Sequence, residues 1–256
     1  MSSHIICTLD GIAPGQLDER ILVTDVRQDA PVISRSTARR ARGDGSLVTD
    51  EARLSLSVTV KVLVKEADPA RRGPLLDLLA DWSRGTVLRL GDRPRRFLTV
   101  RCERLFTPGG AQDWTKELTL TFTARQVPYW QEEGIRSLTL TEDAWWYVPG
   151  TAPETPVSFT VTNVGEGPVT CFGITAGSSV SLDGLLLKSG CQVRGTAEDG
   201  LLTLTLVTPE GEESAAEYLT TDSADVLTVP CGKRTAVRLT SDGSLSVRLT
   251  ARGRYL

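Results

Sequence analysis

Between Leu54 and Trp130 the hydrophobic period changes twice, from two residues to about three and a half and back to two, and no other stretch constrains the fold as tightly. Leu54, Leu56, Val58, Val60, Val62 and Val64 alternate with Ser55, Ser57, Thr59, Lys61 and Lys65, the repeat of a β-strand with one apolar and one polar face. Leu63 alone breaks the alternation. Leu75, Leu76, Leu78, Leu79 and Trp82 then recur at helical spacing, with Pro74 suited to a first turn and Gly85 placed to end the helix. Leu118, Leu120 and Phe122 restore the two-residue period before Pro128-Tyr129-Trp130 stops it. The plan is a single short helix embedded in strands.

The rest of the chain carries strand signals of the same kind. Ile5 to Val26 reads as two short strands around Asp10-Gly11 and Pro14-Gly15, and Thr86 to Leu90 and Phe97 to Cys102 flank Gly91-Asp92-Arg93-Pro94. From Ser34 to Asp50 almost no apolar residue appears, which predicts a protruding 34–50 loop that is an arm, a lid or a disordered stretch. After Leu138 no helix signal of useful length remains, while Val157-Phe159-Val161, Leu202-Leu204-Leu206, Val237-Leu239 and Leu245-Val247-Leu249 alternate. Asp183-Gly184, Asp199-Gly200 and Asp242-Gly243 stand among them, and Asp-Gly favours tight hairpins because both central residues take positive φ. The expected fold class is mainly β, with an N-terminal α+β domain, an antiparallel sheet carrying one short helix, followed by a C-terminal β-sandwich.

Charge and tryptophan usage place the boundary near Trp130. Residues 1–130 hold 20 basic and 16 acidic side chains, a net of +4, whereas 131–256 hold 9 and 16, a net of −7. Trp82, Trp114, Trp130, Trp145 and Trp146 all precede Pro149. No run approaches the roughly 20 apolar residues of a membrane helix, and Met1 to Ile6 lacks the basic start and apolar core of a secretory signal, so the expectation is a cytoplasmic, soluble chain. Cys7, Cys102, Cys171, Cys191 and Cys231 are widely spaced and odd in number, unlike a disulfide framework or a zinc site.

Catalytic signals are weak. The lone histidine, His4, lies three residues from the first position, so a Ser-His-Asp or Cys-His nucleophile has no base to use in a plausible cleft. No glycine-rich phosphate loop follows a strand, and no metal-binding cluster stands out, so no cofactor is expected. Two groups of residues carry interaction readings instead. Arg35, Arg39, Arg40 and Arg42 could face solvent, contact nucleic-acid phosphates, or pair with a neighbouring subunit; an acidic chain without aromatics in that segment favours the last. Trp145, Trp146 and Tyr147 either pack a domain boundary or form a partner or glycan contact, with Asn163 the one asparagine after them.

The Asp44-Gly45 loop, the alternating strand from Leu54, the Leu75 to Trp82 helix with Gly85, and the strand closing Phe122-Thr123-Ala124-Arg125-Gln126-Val127-Pro128-Tyr129-Trp130 together resemble siphophage distal tail proteins. Val161-Thr162-Asn163-Val164-Gly165 leading to Pro168, Thr221-Asp222-Ser223, Pro230-Cys231-Gly232-Lys233 and the final Val247 to Leu256 strand are similar to the galectin-like or carbohydrate-module-like sandwich that many members carry second. The order of these segments along the chain carries the resemblance.

What it implies is a structural virion protein and not an enzyme: residues 1–130 form a ring, six-fold in the family, at the tail-tube tip, and 131–256 form an outward sandwich. The implied partners are further copies of the chain, the tail tube protein, and baseplate, tail-fibre or tail-associated proteins. The implied location is the virion tail tip after assembly in the bacterial host cytoplasm. The arginines of the 34–50 segment would then sit between subunits rather than in a channel that passes DNA. The competing readings are an adhesin module gripping a host-surface glycan through Trp145, Trp146 and Tyr147, and a glycoside hydrolase using two carboxylates held about 5 to 10 Å apart.

Overall fold

The structure is a computed structural model that describes the backbone of residues 6–39, 46–106, 117–198 and 201–256, and their side chains except at 38–39, 46–51 and 198. Two compact units divide the chain, Met1–Trp130 and Gln131–Leu256. In the first unit the elements are β1 (Cys7–Leu9), the one-turn helix α1 (Pro14–Leu17), β2 (Ile21–Gln28), β3 (Val32–Arg39), β4 (Ser46–Val64), α2 (Pro69–Trp82), β5 (Val87–Leu90), β6 (Arg96–Thr99), β7 (Arg101–Arg104) and β8 (Leu118–Ala124).

β4 is the spine of this unit. Its C-terminal half lies between β2 and β8, both antiparallel, with Val64 opposite Ile21 and Val62 opposite Leu118. Leu56, Val58, Val60 and Val62 are fully buried, as the alternation predicts. Leu54 keeps the alternation yet is exposed. The pairings with β2 and β8 stop at Val58 and Leu56, so nothing from those strands extends beneath it.

α2 starts earlier than its leucines announce. Asp68 caps it by accepting the Ala70 N–H at 3.0 Å, Pro69 occupies the first turn, and Pro74 lies inside the helix, where it removes one backbone donor. Leu75, Leu79 and Trp82 are buried while Leu78 is exposed, so one narrow face docks. The Trp82 ring meets Phe122 of β8 edge-on, centroids 5.8 Å apart, and its indole N–H donates to the Ile12 carbonyl at 2.8 Å. Gly85 serves close approach: a Cβ there would fall 2.6 Å from Leu9 Cγ. Asp10 and Gly11, both at positive φ, form the expected tight turn, whereas Pro14-Gly15 opens α1 instead of linking two strands.

In the second unit follow β9 (Trp130–Leu140), β10 (Ala144–Tyr147), β11 (Glu154–Asn163), β12 (Val169–Thr175), β13 (Ser179–Leu187), β14 (Gln192–Glu198), β15 (Leu201–Thr208), β16 (Gly211–Ser214), a 3-10 turn (Ala216–Tyr218), β17 (Thr228–Pro230), β18 (Arg234–Ser241) and β19 (Leu245–Tyr255). One sheet runs β9-β19-β11-β14-β15-β16 with β17 added to β11, and the other runs β10-β18-β12-β13. Val161, Val193, Val247 and Leu249 of the first sheet and Trp146, Phe172, Ile174, Leu182 and Val237 of the second share one apolar core, the section of a β-sandwich.

Two of the Asp-Gly pairs do other work than closing hairpins. Gly184, at φ +74°, sits inside β13, where the register against β12 slips between Val169 and Cys171, so Asp183-Gly184 marks a bulge. Asp242-Gly243 links β18 to β19, strands of different sheets, and the Asp242 carboxylate accepts the Thr170 and Cys171 N–H groups. Asp199-Gly200 lies outside the described residues. Asn163 is 1% exposed and donates to the Gly167 and Leu187 carbonyls, both at 2.8 Å, which makes it a structural residue of the sandwich.

Arg20 clasps one end of the β2–β4 pair, where β2 begins and β4 stops, bidentate to Asp18 at 2.9 Å and reaching Glu66 at 2.7 Å. The Arg20 hydrogen bonds hold the Asp18 carboxyl down at about 2. A depressed acid stabilises the fold above its unfolded value near 3.9 and loses that contribution as pH falls through the folded one. The melting-temperature gap between the native chain and Asp18→Asn is therefore full above about pH 5 and closes between about pH 4 and 2; a pH-independent gap contradicts the clasp. Trp82→Ala removes the ring that seats α2 and lowers stability of the first unit by about 3 to 5 kcal/mol in urea unfolding; a loss under about 1 kcal/mol contradicts that docking.

Candidate functional site

The 34–50 segment, expected as an irregular loop, is a β-ribbon at both of its described ends. β3 pairs antiparallel with the first half of β4, Val32 opposite Ser55 through Arg39 opposite Ser46, with register slips after Val32 and after Ser36. A polar sequence hides such a pairing, because only a buried face imposes apolar alternation on a strand. Eight residues of β3 span roughly 25 Å at about 3.3 Å each.

Among the described residues, Ser46 to Ser55 pair with β3 alone, and β3 pairs with nothing else. The outer edges of both strands thus present backbone N–H and C=O groups to solvent, and two-stranded ribbons without a packed face are marginal in water. At its base Val32, Ile33 and Leu54 are exposed at 53%, 40% and 52%. Arg35 is exposed, opposite Glu51 in the register. Arg39 ends β3 with its backbone paired and its side chain outside the described residues; Arg40 and Arg42 lie outside them altogether. Arg53, absent from the sequence-derived set, lies over the Tyr129 ring at 5.0 Å, and nothing in the local pattern marks that contact.

The aromatic triplet splits. On β10 Trp145 and Tyr147 are 59% and 55% exposed, while Trp146 is 5% exposed in the sandwich core. Trp146 therefore leaves the set of contact residues, as strand alternation requires once its neighbours face outward. The Arg234 guanidinium stands 5.3 Å from the Trp145 ring, a cation–π pair on the neighbouring strand.

Reactive groups are not gathered. Among the described residues no cluster of His, Cys, Asp or Glu has metal-holding geometry. Among the described residues every carboxylate with a displaced pKa is pushed down: Asp18, Glu103 and Asp242 chiefly by side-chain hydrogen bonds and Glu66 by a backbone N–H. None is poised as a general acid, which needs the opposite shift. Burial pushes the Cys7 thiol up to about 12, away from nucleophilic use. No helix among the described residues is long and apolar enough to cross a membrane.

A first unit built on β4 with one docked helix, followed by a two-sheet sandwich, is a fold with a counterpart among solved phage proteins. Specifically, the chain is similar to the crystal structure of the SPP1 Dit protein (gp 19.1), at a TM-score of 0.68 and 16% identity, over 97% of this chain and 98% of that one. That protein is described as a paradigm of the hub adsorption apparatus in phages infecting Gram-positive bacteria. At this identity the likeness is one of fold. The phage P2 baseplate in its activated conformation with Ca matches at a TM-score of 0.43 and 5% identity, over 92% and 91% of the two chains. No protein-family model matches the sequence, and no curated protein matches it.

Trp146→Ala cuts a core ring and lowers the stability of the sandwich by about 3 to 5 kcal/mol, whereas Trp145→Ala stays within about 0.5 kcal/mol of the native chain in the same unfolding experiment. Equal losses contradict this division of the triplet.

Proposed function

We propose that this chain is a structural component of a siphophage tail, forming a ring of identical copies at the tip of the tail tube and joining it to the baseplate or receptor-binding apparatus. The reading is supported by the fold shared with a phage hub protein over nearly the whole of both chains. The observation that carries the assembly itself is the β3–β4 ribbon, whose open edges and exposed Val32, Ile33 and Leu54 form a surface that a second copy completes.

A ring needs a heterologous contact that closes by rotation, one surface of a copy meeting a different surface of the next. A polar ribbon suits this, because it adds contact area without leaving a large sticky patch on the free monomer. The ribbon also accounts for the positive first unit. Arg35, Arg39, Arg40 and Arg42 belong between copies, where they meet acidic groups of the neighbour instead of the phosphates of DNA passing a channel. The residues argued to matter are thus contact residues, and the chain carries no reaction of its own.

Reversing two charges of the arginine cluster tests the arrangement with little risk to the core. The native chain sediments and images in negative stain as rings near six times the chain mass, and Arg39→Glu combined with Arg40→Glu shifts it to monomer by at least about tenfold in assembly constant. Normal rings from the double variant, or a native chain that stays monomeric at every concentration, overturn the proposal.

A further inference from the structure

β4 changes partners over a few residues. It pairs with β3 as far as Ser55, with β8 from Leu56 and with β2 from Val58, so the ribbon leaves the packed sheet at this junction. Ladder hydrogen bonds hold the two ribbon strands to each other, but they leave its direction loosely set, since two-stranded ribbons twist over a wider range than larger sheets.

Side chains at the junction set that direction. Where β2 gives way to β3, the Asp29 N–H donates to the Ser57 carbonyl at 2.9 Å, and the Asp29 carboxylate accepts the Thr59 hydroxyl at 3.3 Å. On the other strand Arg53, opposite Ile33 inside the ribbon, lays its guanidinium over the Tyr129 ring at 5.0 Å. The contact shows in the burial. Arg53 is half-buried while Ala52 and Leu54 on either side are exposed, the reverse of the order their polarity sets.

Tyr129 stands on a fixed post. Its neighbour Trp130 is fully buried, donates its indole N–H to Gln28 Oε1 at 2.9 Å at the end of β2, and has the Arg93 guanidinium 4.9 Å from its ring. Pro128, just before, restricts the backbone further. One short segment, Pro128-Tyr129-Trp130, thus clasps the last residue of β2 and the base of the ribbon on β4.

A surface held in one direction before it meets its partner loses less freedom on binding, and the saving appears in the association constant. We propose that Arg53 is a positioning residue for assembly: its guanidinium on the Tyr129 ring fixes the direction in which the β3–β4 ribbon leaves the first unit, and it acts through the ribbon rather than on the neighbouring copy. The inference rests on the reading of the ribbon as the contact between copies. A flat cation on a ring face does this work, so lysine at 53 or phenylalanine at 129 keeps most of it, whereas alanine at 53 or leucine at 129 removes it.

Sedimentation of the full-length chain over a concentration series, with amide exchange on the same samples, tests this. Arg53→Ala and Tyr129→Leu each lower the assembly constant about tenfold per contact, and the double variant falls no further than either alone, because each removes the same clasp. Arg53→Lys and Tyr129→Phe stay within about threefold of the native chain. The Leu56 to Val62 amides stay protected in every variant, which separates lost direction from lost folding. Arg53→Ala rings that form as readily as native ones overturn this inference and leave the ring reading standing. Additive losses in the double variant overturn it as well, since Arg53 then binds the neighbour itself, and so does core exchange that quickens with the loss of assembly. A native chain that never assembles removes the ring reading and this inference with it.

Discussion

Nineteen consecutive residues of β4 must satisfy their backbone hydrogen bonds, and the two halves of the strand do so differently. From Val58 to Val62 β2 and β8 supply partners on both edges, alternate side chains from Leu56 on are buried, and α2 seals the layer through Trp82 on Phe122. Before Ser55 there is one partner among the described residues, β3. A single strand is thus the axis of a folded unit at one end and of an exposed ribbon at the other. The stable half anchors the open half, and an interaction surface can be held in place without being buried.

The sandwich applies the same economy of sides. Its inner residues make the core, and its outer residues are free to vary in chemistry without changing the fold. Trp145, Trp146 and Tyr147 show this within one short strand: the middle ring is structural and its neighbours face water.

Much of this was legible in the sequence where burial writes a period. The Leu56 to Val64 strand, the α2 leucines and the later alternating runs are all cases in which one face must be apolar. Legibility failed where no face is buried or where geometry is set from afar. The β3–β4 ribbon gives no apolar signal, so it read as a loop. Asp183-Gly184 and Asp242-Gly243 carry the residues of a hairpin turn, yet one forms a bulge and the other crosses between sheets, because partner strands far along the chain decide the register. Leu54 and Leu78 fit their periods but are exposed, since periodicity gives direction and not what lies beyond. Arg35 and Arg39 were legible as residues. Their ribbon setting was not.

Amide hydrogen exchange, followed through residues 32–39 and 46–55 as the chain is concentrated from monomer to assembly, probes the central claim at the bonds it concerns. The account predicts that exchange in these two stretches slows in step with the rise in mass, as strand edges gain partners, while the Leu56 to Val62 amides stay protected throughout. Assembly that leaves the ribbon amides exchanging as fast as in the monomer would contradict it.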